Sequence, residues 1–367
     1  MPNESKVTTR LADVAREAGV SPSTASRVLN GSARQVADEY RERVLAAAER
    51  VGYTTNLAAQ ATARGRYPAI ALVVGDIRDQ FFARIAFGAV REAARRGYVL
   101  NLLSTEGDTD RERGLVHDLR RQRPEALVLV RKRDTTPMAG SKLMQELMGF
   151  ERESGRVVIV GEPSEPVLAI RPPDFDGAKD LATAMLGLGY RDFAVFLSDP
   201  KVPSARDRLD GFRAGLSAGG VALPDSRVYP TEQSFLGGAS SAAEYLADGR
   251  DTELIFCTED EVALGAIHHL RSEGYDVPGE LAFAGYGRRR QNPFGEDDWL
   301  TTVRSPLEEM GAAAVDAALG PAYGSVPASV AEVHIGGSTP GRAADDGPEK
   351  PSGNASRKSR SARRARA

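Results

Sequence analysis

Two hydrophobic rhythms divide the chain. From residue 10 to about residue 51 apolar residues recur at three- and four-residue spacing; after Arg66 they come in short solid runs separated by amphipathic stretches. The first rhythm reads as helices. In RLADVAREAG, Leu11, Val14, Ala15 and Ala18 share one face, and Gly19 stops the run. In VSPSTASRVLNG, Ser21 is placed as an N-cap and Pro22 as the first helical residue, where its missing N–H costs nothing. Ala25, Val28 and Leu29 form the apolar face, and Gly31 follows the end. Only Gly19 and Val20 join the two segments, so they cross sharply as a helix-turn-helix. A third helix is predicted from about Asp38 to Val51, stopping at Gly52 and burying Val44, Leu45, Ala48 and Val51. Asp38 and Glu39 suit its positive N-terminal end.

The second rhythm supplies the strand-like runs AIALVVGDI, YVLNLLST, ALVLV, VVIVG, FAVFLS, LIFCT and LAFAGYG. Between them lie helical patterns such as FFARIAFGAVREAARRG and DEVALGAIHHLRSEG. Strands apolar on both faces, alternating with helices of this length, give parallel α/β sheets. The units are too numerous for one sheet of usual size. Two similar lobes are expected, with a small-ligand cleft at the carboxyl ends of their strands.

Composition narrows the class. A chain of 367 residues has room for two or three domains, and 41% hydrophobic with 27% charged residues is ordinary for a globular protein. No run of 18 apolar residues occurs, and MPNESKVTTR lacks the apolar core of a secretory signal. The single cysteine, Cys257, cannot form an internal disulfide. A cytoplasmic, nucleoid-associated protein with no membrane partner is expected.

The net charge of −3 conceals an asymmetry. Residues 1–66 carry ten Lys/Arg against seven Asp/Glu, and residues 350–367 carry seven Lys/Arg and no acid, so residues 67–349 hold a net −13. Basic ends on an acidic body suit a polyanion partner. The tail PSGNASRKSRSARRARA cannot form a core and reads as disordered.

The polar face of the second helix carries Ser23, Thr24, Ser26, Arg27 and Asn30. Short hydroxyls let a helix approach a groove and bond phosphates, and Arg27 can reach a guanine edge with two hydrogen bonds. The alternative is a solvated face of a small helical domain.

LADVAREAGVSPSTASRVLNG, followed by RERVLAAAERVGYTTN, closely resembles the DNA-binding headpiece of the LacI/GalR family of bacterial transcription regulators. The resemblance implies that Pro22, Ser23 and Arg27 read base edges in the major groove. By the same resemblance Ser21, Thr24, Ser26 and Asn30 mostly hold phosphates or the turn. Pro22 has no donor, which implies fewer direct base contacts there. The resemblance also makes GYTTNLAAQATARG a hinge helix that folds on the operator and enters the minor groove. Asn56, Ala59 and Gln60 match, but Thr62 stands where the family has a wedging leucine, and Thr55 where a proline precedes Asn56.

The body resembles the periplasmic-binding-protein-like sensor of the same family, through GDIRDQFFARIAFG, SARDRLDGFRAGL, CTEDEVALGAIHHL, LAFAGYG, LTTVRSPLEEMG and IGGSTP. The expected fold is therefore an N-terminal all-α helix-turn-helix headpiece (8–53), a hinge helix and linker (54–67), an α/β two-lobe sensor for effector binding and dimerisation (68–341), and a basic tail (342–367). The first lobe is expected at about 68–164 and 299–321, the second at about 165–290 and 326–341.

By this resemblance the effector would meet Asp79, Phe81, Phe82, Phe175, Ser204, Arg208, Glu259 and Gly287. Several of these depart from the family pattern. The Asn-Pro before the aromatic pair is lost, Phe175 replaces an asparagine, Glu259-Asp260 replaces Asn-Asp, and Gly287 replaces a carboxylate. Fewer groups remain that could pair with a polyol, so a plain neutral sugar held in the usual way is not expected. Glu259 and Arg288 point either to a cationic or amphoteric ligand or to a mutual salt bridge that leaves the cleft empty.

Catalysis has little support. The histidines are His117, His268, His269 and His334, with no metal-ligand spacing, and no nucleophile elbow, dinucleotide fingerprint or phosphate loop occurs. No catalytic residue, metal or cofactor is expected. The reading is a homodimeric repressor of a metabolic operon, bound to near-palindromic double-stranded DNA and controlled by a small-molecule effector. The alternative is an effector-independent regulator or architectural protein with a degenerate cleft.

Overall fold

A computed structural model describes residues 9–29, 36–53, 67–131, 140–153, 155–161, 166–249, 251–287, 299–320 and 329–342. Asn30, Asn56, Ala59, Gln60, Thr62, Arg288 and residues 343–367 of the basic tail lie outside the described residues.

Three short helices build the headpiece: α1 (Leu11–Ala18), α2 (Pro22–Leu29) and α3 (Asp38–Arg50). Val14, Ala15, Ala18, Ala25, Val44, Ala47 and Ala48 close a small core of their own. Gly19 ends α1 at φ +63°, a conformation that favours glycine, and Arg43 Nη2 donates to the Ala18 carbonyl at 2.6 Å. This bond ties α3 to the turn. Leu45 departs from the expectation of burial and is 49% exposed. The buried stripe of α3 runs through Val44, Ala47 and Ala48, with Val51 packed beside it, and Leu45 falls one residue off that stripe.

The rest of the described chain divides into two α/β units, each with its own sheet. The first sheet holds β1 (Tyr67–Val74), β2 (Val99–Ser104), β3 (Pro124–Val130), β4 (Arg156–Val160) and β5 (Leu168–Ile170), all parallel, in the order β2-β1-β3-β4-β5. Its helices are α4 (Gln80–Arg95), α5 (Thr109–Gln122), α6 (Lys142–Arg152) and α11 (Leu307–Leu319). β1 is apolar throughout because both of its faces are covered. Ile70, Leu72 and Val74 join the core under α4 and α11, while Ala71 and Val73 join the one under α5 and α6.

The second sheet holds β6 (Phe193–Ser198), β7 (Val228–Thr231), β8 (Leu254–Cys257), β9 (Ala282–Tyr286), β10 (Thr301–Arg304) and β11 (Glu332–His334) in the order β11-β10-β9-β8-β6-β7. Only the β10–β11 pairing is antiparallel. Its helices are α7 (Asp174–Gly187), α8 (Pro203–Ala218), α9 (Phe235–Ala247) and α10 (Asp260–Ser272).

The crossings between units differ from the expected boundaries. β5 pairs with β4, so the first lobe extends past residue 164; β10 pairs with β9, so residues 301–304 belong to the second lobe and not the first. Backbone pairing decides membership here, and strands of three or four residues leave no periodic signal of it.

Candidate DNA-reading helix and effector site

The start of α2 is a built cap. Ser21 Oγ accepts from the Thr24 N–H at 3.1 Å and lies 2.8 Å from Ser23 Oγ and 2.9 Å from Thr24 Oγ1. With Pro22 opening the helix, this fixes where α2 begins and which way its faces point. Ala25 is sealed in the core; Ser23 and Arg27, four residues apart, stand exposed on the other side. Arg27 makes no hydrogen bond or ion pair among the described residues. Ser26 is partly buried between these faces. The arrangement offers a groove one long cation and a row of hydroxyls.

In the first lobe Asp79 caps α4, its Oδ1 accepting from the Phe81 N–H at 2.9 Å. Beside it Arg78 grips Asp76, with Nη2 and Oδ2 2.7 Å apart. Phe81 and Phe82 meet edge to face at 5.2 Å. Phe82 is placed in the core of its lobe, where a side chain on Gly75 would collide with its ring, whereas Phe81 stays partly exposed. Of this expected pair, Phe81 alone keeps surface for a ligand.

The second lobe concentrates charge at one arginine. A side chain on Gly211 of α8 would overlap the Phe175 carbonyl, and one on Gly215 would press on the Lys179 carbonyl at 2.5 Å. These two glycines, one turn apart, let α8 lie against the backbone of α7. That brings Arg208 beside Asp174, the first residue of α7. Arg208 Nε donates to Asp174 Oδ1 at 2.8 Å, and Nη1 donates to Glu259 Oε1 and to the Thr258 carbonyl, both at 2.7 Å. Its guanidinium lies over the Tyr286 ring, 4.0 Å from the centroid. Tyr286 is fully buried, and its hydroxyl donates to the Pro173 carbonyl at 3.1 Å.

The side chains of Arg208 and Asp174 are only 12% and 2% exposed. Burial alone would lower the arginine pKa, but the Asp174 and then the Glu259 carboxylates outweigh it and raise it further, so Arg208 stays charged. Burial raises the Tyr286 pKa, keeping its phenol neutral. Behind this cluster Asp260 is buried and accepts from Thr302 Oγ1 at 2.7 Å.

The expected residues therefore separate. Arg208 and Glu259 come together, with Gly287 beside Glu259 at φ +124°. Ser204 lies one turn before Arg208 on α8, and Phe175 follows Asp174 with its ring exposed. Among the described residues Glu259 pairs with Arg208, and Arg288, its expected partner, lies outside them. Asp174 and Tyr286 escaped the sequence reading as site residues. The Asp-Phe pair drew attention to Phe175, and Tyr286 read as part of a strand.

Among the described residues no group of His, Cys, Asp and Glu could hold a metal, and no helix is long and apolar enough to cross a membrane.

A capped helix-turn-helix ahead of two parallel α/β units defines a DNA-binding transcription regulator of the sensor-bearing kind. Residues 10–56 match the family described as "Bacterial regulatory proteins, lacI family", and residues 182–336 match the "Periplasmic binding protein-like domain". The HTH-type transcriptional regulator GalR of Escherichia coli K12 is 31% identical over 310 residues, covering 84% of this chain and 87% of its own. The HTH-type transcriptional regulator DegA of Bacillus subtilis 168 is 28% identical over 306 residues, covering 83% and 88%. In fold, the lac repressor dimer bound to operator and the anti-inducer ONPF matches with a TM-score of 0.71 at 22% identity, over 90% of this chain and 99% of that one. The chain belongs to the lacI family of bacterial regulatory proteins.

Proposed function

We propose that this regulator is a repressor that binds near-palindromic double-stranded DNA as a homodimer and answers to a small molecule held by its sensor body. The observation that carries the DNA reading is α2: a capped helix whose exposed face presents Ser23 and Arg27. Two such helices related by a two-fold axis demand two half-sites. Asn30, Asn56, Ala59, Gln60 and Thr62 would extend the contacts, with Thr62 offering a smaller minor-groove wedge than leucine. The homodimer is supported by apolar surface on the first lobe: Phe87 and Val90 on α4, and Val99 and Leu102 on the edge strand β2, are exposed. Membership of a family of DNA-binding regulators supports the reading of a non-enzymatic protein that works in the cytoplasm with the nucleoid. Selection of bound sequences from a random duplex library tests the reading. A two-fold symmetric site supports it, and enrichment of no sequence refutes it.

For the effector, Arg208 is the main polar anchor, with Ser204, Phe175 and Glu259 around it and Gly287 at its edge; Asp79 and Phe81 are candidates through the family resemblance of their loop. A second reading, regulation without an effector, is favoured by one observation: Asp174 and Glu259 already neutralise Arg208 within its own lobe. Thermal unfolding against sugars, amines and nucleobases separates the two, because a ligand that binds only the native state raises the midpoint.

A further inference from the structure

A cavity lies in the second lobe, with none of the Arg208 cluster in its lining. It measures about 670 Å³ and sits where β6 and β7 end and α9 begins. That volume is within the usual range for small-molecule sites, about 300–1,000 Å³. None of its lining residues belongs to the Arg208 cluster, whose partners stand at the ends of β8 and β9 and on α7.

The walls are set by backbone. Asp199 N–H donates to the Thr231 carbonyl at 2.7 Å, joining the two strand ends. Ser234 caps α9 by accepting from the Gly237 N–H at 2.9 Å. A side chain on Gly237 would overlap the Glu232 carbonyl, so the absent Cβ lets that turn lie directly on the helix.

The lining chemistry is one-sided. It includes three carboxylates, Asp199, Glu232 and Glu244, and no Lys, Arg or His. Inside it Ser241 is 2% exposed, and its hydroxyl has no hydrogen-bond partner among the described residues. The hydroxyl is not one of the sealed, unbonded polar atoms of the described residues, so its donor and its acceptor remain open to a ligand in the cavity. Leu236 adds an apolar surface, 75% exposed, at the mouth.

We propose that this cavity is a binding site for a small organic cation, a primary diamine or similar alkyl amine. An ammonium brings three donors and no acceptor. It would find carboxylates and the Ser241 oxygen as acceptors, while its methylenes lie on Leu236. An anion would meet three like charges and no base. A bare divalent ion is disfavoured because no residues here are grouped as a metal-holding set.

The test uses the full chain and 1,4-diaminobutane, with KCl at matched ionic strength as the control. Calorimetry should show saturable binding near one diamine per chain, and the thermal midpoint should rise with diamine but not with KCl. Glu244→Gln, on an exposed helix position, should weaken the binding by about ten-fold or more, as expected for loss of a charge-assisted hydrogen bond. Ser241→Ala should weaken it further when combined with that change. No saturable heat overturns the proposal. So does binding whose affinity is unchanged in Glu244→Gln and in Ser241→Ala, since it would then lie elsewhere.

Discussion

Arg208 and Asp174, 34 residues apart in the chain, form a buried ion pair with Nε and Oδ1 2.8 Å apart. Removing one member of such a pair leaves an uncompensated charge, at a cost of about 3–5 kcal/mol. Asp174→Asn should therefore lower stability to urea substantially, while Arg208→Ala should also weaken an effector about ten-fold or more once one is known. Unchanged urea midpoints in both variants would show that the pair contributes nothing.

Arg27→Ala should abolish sequence-specific DNA binding without abolishing all binding. The exposed guanidinium is the one long cation on the α2 face that Ser21 and Pro22 orient. Losing a two-bond guanine contact costs about 1–3 kcal/mol per half-site. Competition between selected and random duplexes measures it; a variant that keeps the parent's preference would mean another element reads the bases.

Two glycine substitutions should act in opposite directions. Gly211→Ala drives a methyl group into the Phe175 carbonyl and must push α8 off α7, so it should destabilise by about 1–3 kcal/mol. Gly114 sits inside α5 with open space around it, and Gly114→Ala should stabilise by about 0.5–1 kcal/mol. Urea melts of the two variants check the contrast, which requires opposite signs.

Glu92 links α4 to α11. Its carboxylate accepts from Arg95 and Arg96, and Arg96 in turn bonds Asp316. The Arg95 bond, opposed by burial and helped by the Arg96 bond, lowers the Glu92 pKa to about 2. An unfolded glutamate titrates near 4.3, roughly. The folded value is the lower one, so the contribution is complete above about 4.3 and is lost as pH falls toward 2. Glu92→Gln should be less stable than wild type at pH 7, and the gap should close across that window. A gap that stays constant from pH 6 down to 2.5 would remove Glu92 from the account.

The exposed pair Phe87 and Val90 on α4 should lie in the dimer interface of the first lobe. Phe87→Glu should shift the protein toward monomer in sedimentation and weaken operator binding, because one headpiece then loses the other. A variant that sediments as the wild type does would move the interface to another surface.

The long elements were legible in the sequence because their causes are local. Ser21 and Pro22 announce the start of α2, Gly19 stops α1, and the apolar runs within β1, β3 and β6 follow from sheets covered on both faces. Capping, backbone conformation and side-chain period act within a few residues, so neighbours in sequence suffice to read them. The helix-turn-helix and the alternating body come from these signals, and the class of protein comes from the resemblance of their motifs to the LacI/GalR family.

Tertiary structure alone decided what meets what. Leu45 is outside the core because packing selected the stripe through Val44, Ala47 and Ala48. β5, β7, β10 and β11 have only three or four residues each, too few for a period, and exist because a neighbouring strand pairs with them. The Arg208 cluster shows the same limit. Each of Asp174, Arg208, Glu259 and Tyr286 is visible in the sequence, yet their union depends on Gly211 and Gly215 letting two helices touch backbone to backbone. Electrostatic and steric fit across distant segments is a property of three-dimensional distance, and a linear pattern carries no measure of it.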